Sequence, residues 1–439
     1  MKKFLVVFAV LVFVGMSSMA LAADLSLGGT AQLRSRWFDN MTYNKDAAAS
    51  SSKRTVDTQE RVQLDVNVKS GDAVKAKVAI WKDFDTWGRL ESNQANLPNL
   101  SYNGDPGFLS LREAWVSVNL PGIPVNVTGG HQLLMLGQGY FFRSMHFGSD
   151  AWVVANVTGP NTAAFVNIKA YEGNSGLASD DIDAYVLLDV FKLNENMVLG
   201  VDLTNIKIRS SVTTTAPAPY STVLKVDGLP LEALAGTDLL NLGVNFTGKV
   251  GPVNLKAEVD MQSGKIDHAT GTDPKFKGMQ AVVLGNVALN PVTVNFMVGY
   301  GTGPKAGDTD IKFIVPVLDV DPHYTFMYEY KLATACGAKN TGLCNTTVAS
   351  AGAMFAATKN LKIGADLYYL KATQKVTNGQ GDQSTELGTE IDAKVQWQLY
   401  DGLSWNWDFG YFAPGKAYKT AAGKSDAALG AQGVFALKF

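Results

Sequence analysis

The sequence predicts an all-β protein, a transmembrane antiparallel up-and-down β-barrel, from three observations. Polar and apolar residues alternate along most of its 439 positions. The N-terminus reads as an export signal, and the last residues, Gly433 to Phe439, alternate as a strand that stops on an aromatic ring. A bilayer offers no water to unpaired backbone groups, so a chain that crosses it with strands has to close them into a ring.

Lys2 and Lys3 give a basic start, Phe4 to Val14 is an apolar run, and Ala20-Leu21-Ala22 supplies small residues where a signal peptidase cuts. This pattern predicts a cleaved signal peptide over 1–22 and a single outer-membrane barrel domain over 23–439. No later stretch approaches the roughly 20 apolar residues a spanning helix needs. A terminal Phe after apolar residues at every second position also resembles the signal read by the bacterial barrel-assembly machinery, which makes that machinery and outer-membrane lipid the expected partners.

Composition narrows the class further. A net charge of −2 leaves no basic excess to neutralise phosphates, which argues against nucleic acid as a partner. No composition break divides the chain, and sustained helical periodicity is missing.

The dyad pattern is clearest in three segments. Asp57, Gln59, Arg61, Gln63, Asp65, Asn67 and Lys69 alternate with Val62, Leu64, Val66 and Val68. Asn254, Lys256, Glu258, Asp260 and Gln262 alternate with Val253, Leu255, Ala257, Val259 and Met261. Glu390, Asp392, Lys394, Gln396 and Gln398 alternate with Ile391, Ala393, Val395, Trp397 and Leu399. In a barrel, the polar face meets a wet lumen and the apolar face meets lipid. Tight connections such as Lys69 to Asp72, Thr158 to Asn161, Asn290-Pro291 and Tyr400 to Gly402 alternate with longer polar ones, as periplasmic turns alternate with extracellular loops. Hairpin counting gives about 20 strands, the weakest pair lying between Asp310 and Leu332, where Pro316 and Pro322 each delete a ladder donor.

Several segments resemble the alginate export family of bacterial outer-membrane porins. They are Gly388 to Asp392 with its following strand, Trp405 to Pro414 ending in Gly410-Tyr411-Phe412-Ala413-Pro414-Gly415, and Leu111-Arg112-Glu113-Ala114-Trp115-Val116. Gly130-His131-Gln132 sits where that family often carries Gly-Arg-Gln, and Phe313 to Tyr328 is similar to a family stretch within an extracellular excursion. The resemblance implies about 18 strands, with the doubtful pair folded into a large loop. It also implies an arginine-rich lumen for anionic polyuronate, and His131 departs from that.

Taking each polar strand face as lumen places Arg34, Arg36, Arg61, Lys69, Lys75, Lys77, Lys169, Lys256, Lys362 and Lys394 in the pore. With them stand Asp57, Asp65, Asp83, Asp181, Asp183, Asp189, Asp202, Glu258, Asp260, Asp366, Glu390, Asp392 and Asp408. Such a mixture suits a general aqueous pore whose charges pair locally. Arg112, Glu113, Glu390 and Asp392 are the expected shared network, since a guanidinium can grip a carboxylate with two bonds. Arg112 shares its parity with Ala114, Val116 and Val118, which requires a rim position or a bulge.

Cys336 and Cys344, the chain's two cysteines, lie in a Gly-, Asn- and Thr-rich stretch and read as one disulfide clamping an extracellular loop. No cofactor or metal site is expected. Four histidines without a nucleophile motif argue against catalysis, and the aromatic runs Tyr140-Phe141-Phe142 and Trp405 to Trp407 read as girdle residues at the membrane interface. Ser210 to Leu240, with Leu229, Leu231, Leu234 and Leu240, is expected to fold back and narrow the pore. The expected function is passive diffusion of small hydrophilic solutes or ions. The alternatives are export of an anionic polysaccharide, or a sleeve holding cytochromes together across the membrane.

Overall fold

The computed structural model describes residues 23–48, 53–87, 109–173, 176–209, 234–267, 271–318, 322–337 and 339–439. Nineteen strands form in this order: β1 (Ala23–Asp39), β2 (Thr55–Ser70), β3 (Val74–Thr86), β4 (Leu109–Asn119), β5 (Val125–Met135), β6 (Phe142–Thr158), β7 (Asn161–Tyr171), β8 (Ile182–Asn194), β9 (Met197–Ile208), β10 (Thr237–Val250), β11 (Val253–Ile266), β12 (Met279–Leu289), β13 (Val292–Gly301), β14 (Val317–Leu318), β15 (Thr346–Ala356), β16 (Leu361–Thr377), β17 (Gln383–Tyr400), β18 (Leu403–Pro414) and β19 (Ala428–Lys438). All but the two-residue β14 pair antiparallel with their chain neighbours, and β13 pairs directly with β15. The wall therefore has eighteen strands, one fewer than the nineteen. The pair counted between Asp310 and Leu332 is absent from it; that segment lies inside.

The ring closes between β1 and β19, from Thr30 opposite Lys438 to Asp39 opposite Leu429. Beyond that ladder, Gly29 N donates to the Phe439 carbonyl at 2.9 Å and Phe439 N to the Gly29 carbonyl at 3.1 Å. Outward residues such as Leu25, Val62, Trp152 and Leu187 are exposed, as an apolar belt toward lipid requires. Trp397, Trp405, Trp407 and Phe435 cluster on this outer face near one end, with neighbouring ring centroids 5.7–6.4 Å apart. Among the described residues no helix is long and apolar enough to cross a membrane.

One end of the barrel carries only tight turns, and the other carries the longer connections. The longest, residues 302–345 between β13 and β15, folds into the lumen. Its first half brings Ile311, Val315 and Val317 against Phe141, Phe142, Val166, Ile168, Ile182, Ile206 and Ile208. Its second half packs Tyr324, Phe326, Met327, Tyr328 and Leu332 against Phe38, Tyr368, Leu370 and Phe412. β14 adds to β6 in parallel, with Val317 N donating to the Phe141 carbonyl at 2.8 Å. The Cys336–Cys344 disulfide, its Cα atoms 6.0 Å apart, belongs to this inward insert and not to a free surface loop.

Two sequence expectations change for the same reason. Tyr140, Phe141 and Phe142 are buried within the barrel and do not join an interfacial girdle. On β7 to β9 the inward residues Val166, Ile168, Ile182, Ala184, Val186, Ile206 and Ile208 are apolar because the insert covers them. Lys169, Asp183 and Asp189 therefore share parity with outward Phe165 and Leu187 and lie on the outer face, not in the lumen. Lys169 meets Asp183 there at 2.8 Å and Asp181 at 2.9 Å. The expected constriction over Ser210 to Leu240 falls mostly outside the described residues. Of its apolar patch Leu234 is buried, and Leu240 faces away from the buried Leu239 beside it.

Candidate functional site

The insert is pinned by wall carboxylates and amides, and those pins decide what lumen remains. Glu390 accepts Met327 N at 2.5 Å and Tyr328 N at 2.8 Å, and Asp392 accepts Phe326 N at 3.0 Å. Five strands along the wall, on β11, Glu258 accepts the backbone N–H groups of Gln138 and Tyr140. Gln262 makes two bonds to Val315, one through each amide atom, both 2.9 Å. Asp260 accepts from Asn241 at 3.1 Å and Gln280 at 2.9 Å. These carboxylates are buried and accept from neutral donors, with only Asp392 Oδ1 left without a partner among the described residues, which is the work of a brace: a buried polar group is costly unless hydrogen-bonded.

Along β1 to β4 the wall stays wetter and carries cations. Arg36 holds Asp57 with two bonds of 2.8 and 2.5 Å, and Arg61 meets Asp83 at 2.5 Å while lying over the Phe84 ring at 3.9 Å. Asp83 also binds His146 at 2.8 Å. Lys77 bridges Glu113 at 2.6 Å and Asp65 at 3.3 Å. Arg112 sits at the bulge where the β3/β4 register shifts between Ala79 and Ile80, which turns its side chain inward. It donates to the carbonyls of Met145 at 2.7 Å and His146 at 3.2 Å and to Gln63 at 2.9 Å. Lys75 is exposed near the tight-turn end of β3.

Arg34 differs from these neighbours. Its hydrogen bonds go to neutral Gln59 and, at 3.5 Å, to the Tyr330 hydroxyl of the insert, and its guanidinium lies 3.4 Å from the Phe84 ring centre. Lys331, next to Tyr330, lies 3.9 Å from that ring and 4.8 Å from Phe38. Among the described residues neither cation has a carboxylate partner within ion-pairing distance. Burial, followed by the nearby Arg36, Arg34 and Lys339 charges, pushes the Lys331 ammonium down to about 7. The insert tip, with His323 4.2 Å from the Tyr330 ring, thus faces a cationic wall and leaves two charges free for an anion.

The predicted residues fall into three groups. Arg34, Arg36, Arg61, Asp65, Lys77, Arg112 and Glu113 gather on β1 to β4. Glu258, Asp260, Glu390 and Asp392 hold the insert. Lys256, Asp366 and Lys394 line a chamber toward the tight-turn end, with Lys394 paired to Asp366 at 2.8 Å. Arg112 and Glu113 do not meet Glu390 and Asp392. Tyr330, Lys331 and Phe84 were missed. Lys331 carries no local signal, since nothing in its neighbours says that its segment turns inward. His131 is clasped by Asp150 and the Phe147 carbonyl, both at 2.8 Å. Among the described residues no group of three or more His, Cys, Asp or Glu could hold a metal.

No family model matches the chain, and no curated protein matches it. Solved structures do. OccK2 (OpdF) of Pseudomonas aeruginosa is 11% identical with a TM-score of 0.54, over 95% of this chain and 98% of that one. A BenF-like porin from Pseudomonas fluorescens Pf-5 is 10% identical with a TM-score of 0.56, over 95% and 98%. Pseudomonas aeruginosa OpdK, solved with vanillate, is 11% identical with a TM-score of 0.51, over 94% and 98%. OccK2 has also been solved in complex with glucuronate. The expected membership in the alginate export family is overturned: the fold is that of the Occ-type porins.

Proposed function

We propose that this chain is a bacterial outer-membrane channel through which small hydrophilic solutes diffuse passively, with a preference for small anions. Residues 1–22 serve as its export signal, the tight turns face the periplasm, and the barrel stands in outer-membrane lipid. The observation that carries the reading is the pair Arg34 and Lys331, held on either side of Tyr330 at the insert tip with no carboxylate in ion-pairing distance among the described residues. A fixed positive charge lowers the cost for an anion of leaving bulk water and raises it for a cation. The neighbours solved with glucuronate and vanillate, both small carboxylates, support the same direction.

An insert packed into the lumen through two apolar clusters favours a diffusion channel over a cytochrome sleeve. The test is the reversal potential of the purified protein across a planar bilayer in a KCl gradient. Chloride is expected to permeate better than potassium, and Arg34→Gln with Lys331→Gln is expected to erase that bias. A cation preference, or a bias untouched by both substitutions, refutes the reading.

A further inference from the structure

Beneath the insert, toward the tight-turn mouth, lies a chamber of about 630 Å³ bounded above by Pro322, His323 and Tyr324. Its wall carries an in-register row of carboxamides. Asn254 on β11 stands opposite Asn286 on β12, which stands opposite Asn295 on β13. All three line the chamber. The next position in the row is Gly352 on β15, opposite Asp366 on β16. A Cβ at Gly352 would meet the Asp366 carboxylate, so the glycine leaves a bay in the belt.

The row's hydrogen-bonding capacity is largely unspent. Asn254 donates to Asn286 at 2.9 Å, and among the described residues Asn295 makes no side-chain hydrogen bond. One step further into the lumen, Lys256 lines the same chamber and makes no ion pair among the described residues, whereas Lys394 is paired with Asp366. A carboxamide offers two donors and one acceptor oxygen with two lone pairs, which suits a hydroxyl that both gives and takes a bond. A row of them on adjacent strands, roughly 4.8 Å apart, can take hydroxyls about four carbons apart along an extended polyol chain, such as those near its two ends. An ammonium within reach suits a terminal carboxylate.

We propose that the Asn254–Asn286–Asn295 row with Lys256 is a second solute station, on the tight-turn side of Arg34 and Lys331, which selects small polyhydroxylated carboxylates over carboxylates without hydroxyls. The inference rests on the anion-channel reading above and names a substrate class for it. Arg34 and Lys331 read charge; the belt reads hydroxyls.

The experiment is block of single-channel chloride current by solutes added at the tight-turn side of full-length protein. Gluconate is compared with hexanoate, which has the same carbon count and charge but no hydroxyls, and with neutral sorbitol. Wild-type protein is expected to be blocked by gluconate at lower concentration than by hexanoate or sorbitol. Three lost hydrogen bonds predict that Asn254→Ala/Asn286→Ala/Asn295→Ala raises the half-blocking gluconate concentration about tenfold or more and leaves hexanoate unchanged. Lys256→Gln, a single lumenal change that leaves the row intact, is expected to weaken gluconate and leave sorbitol alone. Equal block by gluconate and hexanoate, or a triple variant that keeps the difference, overturns the station while the anion-selective currents still stand. Absence of step currents overturns both.

Discussion

Replacing Glu390 and Asp392 by Ala tests whether the insert is held by the wall or merely rests in it. Glu390 accepts two backbone N–H groups and Asp392 one, all from buried residues of the insert. Removing the acceptors leaves three buried N–H groups unsatisfied at about 1–3 kcal/mol each, roughly 3–9 kcal/mol together. Phe326, Met327, Tyr328 and Leu332 are buried in the adjoining cluster, at about 1.5–3 kcal/mol each, or roughly 6–12 kcal/mol in all. Polar pins and apolar packing are comparable, so Glu390→Ala alone should loosen the insert and the double variant should release it. Single-channel recording is the assay. The single variant is expected to show brief excursions to a larger conductance, and the double variant a sustained larger one. Glu258→Ala removes the bonds to Gln138 and Tyr140 and should disturb the other side of the lumen without reproducing the sustained state. A correctly folded double variant with wild-type conductance and noise would refute the pinning argument.

Two more expectations concern charge and face. With its ammonium pushed down to about 7, Lys331 is charged below neutral pH and increasingly neutral above it. The chloride preference should thus fall as pH rises through about 7. Groups facing Lys331 are Arg34, Arg36, Asp57, Tyr330 and Lys339, and the arginines keep their charge over this range. Lys331→Met should flatten the profile at a low preference; a wild-type profile without a step, or a step that survives the substitution, counts against it. Cysteines at Arg61 or Asp65 should react with a membrane-impermeant thiol reagent, while those at Val62 or Leu64 should not. Equal labelling of the two sets would remove the face assignment on β2.

How much of this was legible depended on what covers each inner face. On β2, β11 and β17 the face opposite Val62, Val259 and Ile391 is polar, and it carries Arg61, Glu258 and Glu390. On β7 to β9 the rule inverts, because residues 302–345 return to cover the wall and turn its inner face into a core. Strand parity tells which residues share a face, but it cannot tell which face is wet. The two prolines that spoiled a hairpin, Pro316 and Pro322, were the visible trace of the insert. Its destination depends on pairings such as Gln262 with Val315, 53 positions apart, which leave no local pattern. Arg112 was the converse case: its wrong parity announced the β3/β4 bulge that the structure contains.

The inverted faces give a prediction in which position outweighs residue type. Ile206 and Leu203 are both aliphatic residues of β9, and hydropathy ranks them alike. Ile206 is fully buried against the insert, whereas Leu203 is 40% exposed on the outer face, where lipid or detergent chains replace any lost contact. Truncating a buried Ile to Ala costs about 2–5 kcal/mol through lost transfer energy and the cavity left behind. A lipid-facing truncation leaves no such cavity, since mobile acyl chains fill the space. Ile206→Ala should therefore lower the thermal midpoint of the detergent-solubilised barrel, followed by its heat-dependent gel migration, while Leu203→Ala leaves the midpoint nearly unchanged. If the two variants shift it equally, or Leu203→Ala shifts it more, the inner face of β9 is not a core and the insert does not pack where Val315 and Val317 place it.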